Sequence, residues 1–492
     1  MNKIMIQFFH WYHPGNLWNE LSEKAEQLSE LGFTSVWLPP AVKCALGKDG
    51  RGYDVYDLYD LGEFSQQGIV ATRYGNREEY IAAISKAHDA GLEVIADIVL
   101  NHRMGADEME DVTARQVQDD DRNVVLRDWF PASALTKFTF PGRQSKYSDF
   151  IWDYQCFSGI DVLKEQGKEI HGIFKLKNDY GPDWNDNVSH QLGNYDYLMG
   201  ADVDFRNPSV VKELKRWIHW YIDSTKIDGL RMDALKHISS EFVKDWIDFI
   251  REDIDSDFFI VGEFWKDDAE KIAAYSEKMD DRICAFDVPL HYNFFKASQE
   301  RENFVLRDIL KGSFLETHPR CSVTFVGNHD TQRFQALEST VENWFRPIAY
   351  AIILLQETGY PCVFYPDIYG AEYEDKNHDG VQEKVRMPKV ECLPALLKAR
   401  QYFAYGEQIN YLDDPNCIAW QRKGDDTHGG CIVLLCNSVV ENAKYLDLGP
   451  LHAHAEYSDY LGNRKEIIKT DRHGRAKFLV DAQSVSVWVR MN

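Results

Sequence analysis

Eight short apolar runs of strand length recur along the chain, with patterns of helical period between most of them. The runs are Ile4–Phe9, Ser35–Leu38, Val94–Leu100, Ile227–Met232, Phe258–Phe264, Ala285–Val288, Val323–Val326 and Cys362–Tyr365. Helical spacing of apolar residues falls at Leu17–Leu31, Arg77–Ala90, Pro208–Ser224 and Glu241–Asp253. Eight strands alternating with helices predict an α/β fold, a (β/α)8 (TIM) barrel with a parallel inner sheet. An open doubly wound sheet is the alternative. That fold usually has fewer strands and a Gly-rich first turn, and no G-x-G-x-x-G follows Ile4–Phe9.

Two segments break the rhythm. A very long stretch separates the third run, ending near Asn101, from the fourth, starting at Ile227. A structureless loop of that length is improbable in a compact protein, so an inserted domain is expected. After Arg400 short alternating runs take over: Ile418–Arg422, Cys431–Asn437, Ala476–Val480 and Ser484–Arg490. They read as a C-terminal antiparallel β domain of sandwich type. The expected division is barrel 1–102 and 207–396, insertion 103–206, and C-terminal domain 397–492.

The charge balance narrows the partners. Fifty-five Lys and Arg against seventy-nine Asp and Glu leave a net charge of -24. A field of that sign repels nucleic acid and anionic membranes and suits a neutral substrate. Aromatic residues reach 13%, and their flat faces suit both a core and the apolar faces of sugar rings. Nine cysteines without regular spacing argue against a disulfide framework and for reduced core thiols; Cys284, Cys321 and Cys362 lie in or at the start of apolar runs that read as buried strands. The N-terminus has no signal-like apolar region, and no run is long enough to span a membrane. A cytoplasmic location is the expectation.

In a barrel of this kind the C-terminal strand tips carry the chemistry. Here four tips carry acidic or imidazole groups: Asp97 to His102, Arg231-Met232-Asp233 with Lys236-His237 beyond, Gly262-Glu263-Phe264-Trp265, and Asn328-His329-Asp330. Carboxylates with imidazoles and an Arg, and no cysteine among them, favour acid/base and carboxylate-nucleophile chemistry. Glycoside hydrolysis asks for such a pair: a proton donor for the leaving oxygen and a second carboxylate at the oxocarbenium-like centre. Tips of adjacent strands lie about 5 Å apart, compatible with the roughly 5–5.5 Å separation of a retaining pair.

These four segments, in this order, resemble the motif regions of the α-amylase family (glycoside hydrolase family 13). The segments around His10-Trp11, Tyr53, Asn194 to Asp202, and Gly359 to Tyr365 are similar as well, most closely to the cytoplasmic branch of the bacterial liquefying enzymes. The resemblance covers essentially the whole chain. It implies an endo-acting, retaining hydrolase of internal α-1,4 bonds in starch, glycogen or maltodextrins. It implies Asp233 as nucleophile, Glu263 as acid/base, and Asp330 as the group that binds sugar hydroxyls and favours ring distortion. Arg231 would keep Asp233 ionised, His102 and His329 would bind hydroxyls, and Tyr53 would stack on the same sugar. Lys236, His237 and Trp265 would contact the sugar on the leaving-group side.

The resemblance also implies a calcium ion between barrel and insertion, held by Asn101, Asp196, Asp202 and the backbone carbonyl of His237. Calcium takes six to eight hard oxygens of such mixed kinds. A second metal cluster through Asp161, Asp202 and Asp204 is not expected, because Asn185 and Arg206 stand where further carboxylates belong and a cation opposes another metal. Asp375-x-Asn377-x-Asp379-Gly380 starts like an EF-hand loop, but its twelfth position is Arg386; it reads as a solvated loop. Two other functional classes compete. An exo-acting maltogenic or transglycosylating enzyme would share the motifs. A non-catalytic binding module would have lost a key carboxylate, and all three are present. A barrel enzyme for phosphorylated substrates is opposed by the lack of a Gly-rich phosphate loop near strands seven and eight, and by the net charge of -24.

Overall fold

A computed structural model of the chain describes residues 2–491. Eight parallel strands close a barrel: β1 (Met5–Gln7), β2 (Ser35–Leu38), β3 (Glu93–Ile98), β4 (Gly229–Met232), β5 (Phe259–Gly262), β6 (Cys284–Phe286), β7 (Ser322–Phe325) and β8 (Tyr360–Phe364). Each pairs with its neighbour in the chain, and β8 returns to β1 with Cys362 opposite Met5. Helices α1 (Leu17–Leu31), α2 (Arg77–Asp89), α3 (Pro208–Thr225), α4 (Ser240–Asp253), α5 (Ala269–Lys278) and α6 (Val288–Glu300) follow in chain order. Local chemistry sets their ends. At α2 the Asn76 side chain accepts from the Glu79 N–H while the Glu79 carboxylate accepts from the Asn76 N–H, a reciprocal cap. Asn207 caps α3 ahead of Pro208, and Ser239 caps α4.

The eight apolar runs therefore all become barrel strands, but the ordered ladders are shorter than the runs. The run Phe258–Phe264 leaves its ladder after Gly262, so Glu263 lies on the turn above the sheet. A second difference concerns cysteine. Cys362 is buried, but Cys284 and Cys321 are only half-buried. They start or precede β6 and β7, at the barrel's N-terminal rim, where the cover is thinner.

Between β3 and β4 stands a six-stranded antiparallel sheet, running from His102–Arg103 through Ala201–Val203 and Phe157–Glu165 to the long hairpin Glu108–Val117 and Val125–Lys137, and Lys168–Leu176 pairs with both Glu108–Val117 and Phe157–Glu165. Beyond the helix Leu393–Phe403 come a six-stranded and a two-stranded antiparallel sheet that share a core containing Phe478 and Trp488. The segment read as a solvated loop around Asp375 is instead a hairpin, Ala371–Lys376 with Gln382–Met387. Tyr373, Val385 and Met387 bury one face of it, and Tyr12 holds Asp375 through a 2.6 Å hydrogen bond. No helix among the described residues is long and apolar enough to cross a membrane.

Candidate active site

The site is built around one buried guanidinium. Strand register sets Arg231 of β4 directly beside Asp97 of β3. Arg231 Nη1 donates to Asp97 Oδ1 at 2.9 Å and to Asp233 Oδ1 at 2.6 Å, and Nη2 donates to Glu263 Oε2 at 3.0 Å. One rigid fork thus spans three carboxylates in a fixed plane, a geometry a freely rotating ammonium does not impose. Asp97 is held further by the Trp37 indole at 3.1 Å and the Tyr53 hydroxyl at 2.9 Å. Asp97 belongs to the motif read from the sequence, yet no role was assigned to it. Its inward position opposite Arg231, fixed by strand alternation, was the available signal.

Two backbone features aim the carboxylates. Ala234 turns left-handed straight after Asp233, with φ 54°, a conformation costing an alanine about 1–2 kcal/mol. The turn lets the Ala234 N–H donate to Glu263 Oε2 at 3.0 Å. Gly262, just before Glu263, has no room for a side chain: a Cβ would lie 2.2 Å from Leu235 Cδ1.

Burial dominates the electrostatics. It pushes the Asp97 carboxyl up to about 7, against the pull of Arg231. Burial also raises Glu263, with Arg231 opposing and Asp233 adding repulsion. Asp330 is raised well above the carboxylate range by burial, then by Glu263. His329 is pushed well below its usual value by burial and by Arg231, and is neutral. Its Nδ1 faces the Gln7 amide nitrogen at 3.0 Å, which places its proton on Nε2, 3.3 Å from Asp330 Oδ2. Carboxyl groups that burial raises, set beside a fixed guanidinium, are the equipment of general acid catalysis.

The remaining expected site residues fall into two groups. Tyr53 lies near-parallel to His329 and Trp11, with ring centres 5.2 and 5.8 Å away, and forms a flat aromatic wall at Asp97. His102 gives Nε2 to the Tyr53 carbonyl at 2.8 Å, and its Nδ1 is buried without a partner. Lys236 lies over the Tyr195 ring at 5.0 Å and feels the charge of Glu263; burial lowers its ammonium below the usual range. His237 is buried, with its Nδ1 on the Tyr195 carbonyl at 2.7 Å. Trp265 is packed in the core against Phe325 and His291, with its N–H on the Tyr292 hydroxyl at 3.2 Å. Little of its face is left for a sugar.

The four residues expected at a metal are all buried: Asn101, Asp196, Asp202 and His237. Asn101 Oδ1 has no hydrogen-bond partner, and its amide nitrogen lies 3.4 Å from Asp202 Oδ1. Burial raises Asp202 well above the carboxylate range and Asp196 to about 7, and each carboxylate is disfavoured by acidic neighbours. No group of three or more His, Cys, Asp or Glu side chains among the described residues is placed to hold a metal ion by itself. A cation would therefore draw on the amide and a backbone carbonyl as well. That mixed set of hard oxygens, with an orphaned amide oxygen and buried like charges, fits calcium. Nearby, Arg206 grips Asp204 through contacts of 2.8 and 2.7 Å, so its cation satisfies the carboxylate a second metal would need.

A closed barrel with a carboxylate pair bridged by arginine at its mouth is equipped for glycoside hydrolysis. The sequence profile of the α-amylase catalytic domain matches residues 15–393. The chain is 45% identical to the cytoplasmic alpha-amylase of Escherichia coli over 99% of both chains. It is 41% identical to the alpha-amylase of Bacillus licheniformis, covering 100% of this chain and 94% of that one. The glucan 1,4-alpha-maltohexaosidase of a Bacillus species is also 41% identical, over 99% of this chain and 92% of its own. The crystal structure of an alpha-amylase from Geobacillus thermoleovorans superposes with a TM-score of 0.66 at 20% identity, over 100% of this chain and 98% of that one. The chain belongs to the α-amylase family of glycoside hydrolases.

Proposed function

We propose that the protein is an endo-acting α-amylase that cuts internal α-1,4 bonds of starch, glycogen or maltodextrin with retention. The observation that carries this reading is the Arg231 fork, which holds Asp233 and Glu263 side by side at 2.6 and 3.0 Å. A shared guanidinium suits the short separation, roughly 5–5.5 Å, of a retaining pair. Asp233 attacks the anomeric carbon as the Glu263 carboxyl gives its proton to the departing glycosidic oxygen. The ester formed on Asp233 is then hydrolysed by water whose proton returns to Glu263. Burial keeps Glu263 protonated far enough up the pH scale to begin this cycle. Asp330, with His329 beside it, binds hydroxyls of the sugar being distorted, and Tyr53 and His102 flank it. Lys236 and His237 lie toward the leaving group, with Trp265 beneath.

Calcium at Asn101, Asp196, Asp202 and the His237 carbonyl belongs to this reading. When bound it would neutralise buried carboxylates and tie the last strand of the insertion, Ala201–Val203, to the barrel. The reading keeps the barrel at 1–102 and 207–396, the insertion at 103–206 and the C-terminal domain at 397–492. The cytoplasmic location named for the Escherichia coli relative supports the same location here. Neither nucleic acid nor a membrane is a partner. The test is the product profile on a maltoheptaoside blocked at its non-reducing end, beside Asp233→Asn. Cleavage by the wild type alone supports the reading. An intact blocked substrate with a cut unblocked one favours exo action, the mode suggested by the maltohexaosidase relative's name.

A further inference from the structure

A cavity of about 510 Å³ opens one residue beyond Glu263, between the turn after β4, the turn after β5, helix α5 and the loop 187–191. Four lysines line it, Lys236, Lys266, Lys271 and Lys278, and no Asp or Glu does. In a chain of net charge -24 that concentration of one sign runs against composition. Among the described residues Lys236, Lys266 and Lys278 make no ion pair, and only Lys271 is answered, by Asp268 at 2.9 Å. Tyr275 forms the floor with Phe264, ring centres 4.7 Å apart; it is only 8% exposed, and its hydroxyl has no hydrogen-bond partner. The outer wall is fixed, since the Ser189 N–H donates to the Lys236 carbonyl at 2.9 Å and the Ser240 N–H to the Asn187 carbonyl at 2.8 Å.

Unpaired ammonium groups facing one cavity repel each other until an anion enters. Lysine meets phosphate as a point charge with rotatable donors, without demanding one geometry. The distant acidic residues are screened beyond about 8 Å at physiological ionic strength, so the local field decides. The half-buried Phe264 ring offers an apolar face to a sugar, and the lysine rim suits an ester on it. We propose that this cavity binds a phosphate monoester carried by a glucose unit on the leaving-group side of the scissile bond, so that the enzyme takes phosphorylated α-glucans as substrates. The inference rests on the α-amylase reading of the neighbouring carboxylates.

The test compares a neutral maltoheptaoside with the same oligosaccharide bearing a 6-phosphate toward its reducing end, using wild type and a Lys266→Gln, Lys278→Gln double variant. At about physiological ionic strength, where the distant acidic residues are screened, the wild type should cut the phosphorylated substrate at least as well as the neutral one. The double variant should leave kcat/KM on the neutral substrate unchanged and lower it about tenfold on the phosphorylated one. The phosphate advantage should fall with added salt, as screening requires. Millimolar inorganic phosphate added to the neutral reaction separates the sources: no inhibition supports an ester delivered by the glucan, whereas strong inhibition relieved in the double variant assigns the cavity to a free anion and overturns the substrate claim. Poorer cleavage of the phosphorylated glucan, with a ratio the double variant does not change, also overturns it. If neither glucan is cut, the hydrolase reading is what fails. Calorimetric titration of the phosphorylated oligosaccharide then decides the cavity, and equal binding by wild type and variant refutes it.

Discussion

Replacing Arg231 by Met keeps much of the side-chain volume and removes the charge that three carboxylates share. Arg231 is the main force opposing burial on both Asp97 and Glu263. With charge centres roughly 4 Å apart and an effective dielectric near 20, each pair is worth about 4 kcal/mol. That equals about 3 pK units at 1.36 kcal/mol per unit. Sharing among three acceptors and relaxation of the site reduce this to about 2 units at Glu263. The sign follows from burial: without the cation, the charged form of Glu263 is disfavoured further, so its protonated form persists to higher pH. The alkaline limb of the kcat profile should therefore move up by about 2 units. Asp233 also loses its 2.6 Å partner, and kcat at pH 7 should fall at least ~100-fold, the usual scale for removing one preorganised charge contact. The assay is the initial rate on the blocked maltoheptaoside across the pH range, with circular dichroism confirming the fold at each pH. An alkaline limb that stays in place or moves to lower pH would refute the account of what sets Glu263.

Asp97→Asn should alter the pH dependence of stability. The folded carboxyl sits near 7 against about 3.9 unfolded, so the folded state binds the extra proton, and Asp97 costs stability as pH rises between those values. Denaturation midpoints should fall less from pH 4 to 7 in the variant than in the wild type; equal slopes would contradict the burial argument. Gly262→Ala drives a Cβ into Leu235 and should destabilise by about 1–3 kcal/mol, read as a lower thermal midpoint with Glu263 displaced and kcat reduced. A calcium chelator should lower the thermal midpoint, and added calcium should restore it. Asn101→Ala should remove that response; a midpoint indifferent to both reagents would end the calcium assignment.

The difference between what was legible and what was not lies in the range over which each residue's role is decided. Barrel strands were readable because burial on both faces leaves a continuous apolar run, and every run from Ile4 to Tyr365 became a strand. The helices from Arg77, Pro208 and Ser240 were readable because apolar spacing is local to each segment, and the structure adds caps at Asn76, Asn207 and Ser239. The hairpin around Asp375 was missed because its stability comes from outside it. Tyr12, more than three hundred positions earlier in the chain, stacks on Tyr373 at 4.0 Å and bonds Asp375. Asp97 was quoted but given no role for the same reason: its importance is relational, visible only once β3 and β4 lie in register and Arg231 stands beside it. Trp265 and His237 show the reverse limit. Their motif position was legible, yet side-chain direction is set by Tyr292 and Tyr195, supplied by α6 and by the insertion. The lysine cavity is the furthest case. Its charges come from four positions on two turns and one helix, of which only Lys236 stands in a motif, and the chain's overall charge argued against an anion. Only the fold puts them around one space without a carboxylate among them, so local field and net charge give opposite answers, and at contact distance the local field governs.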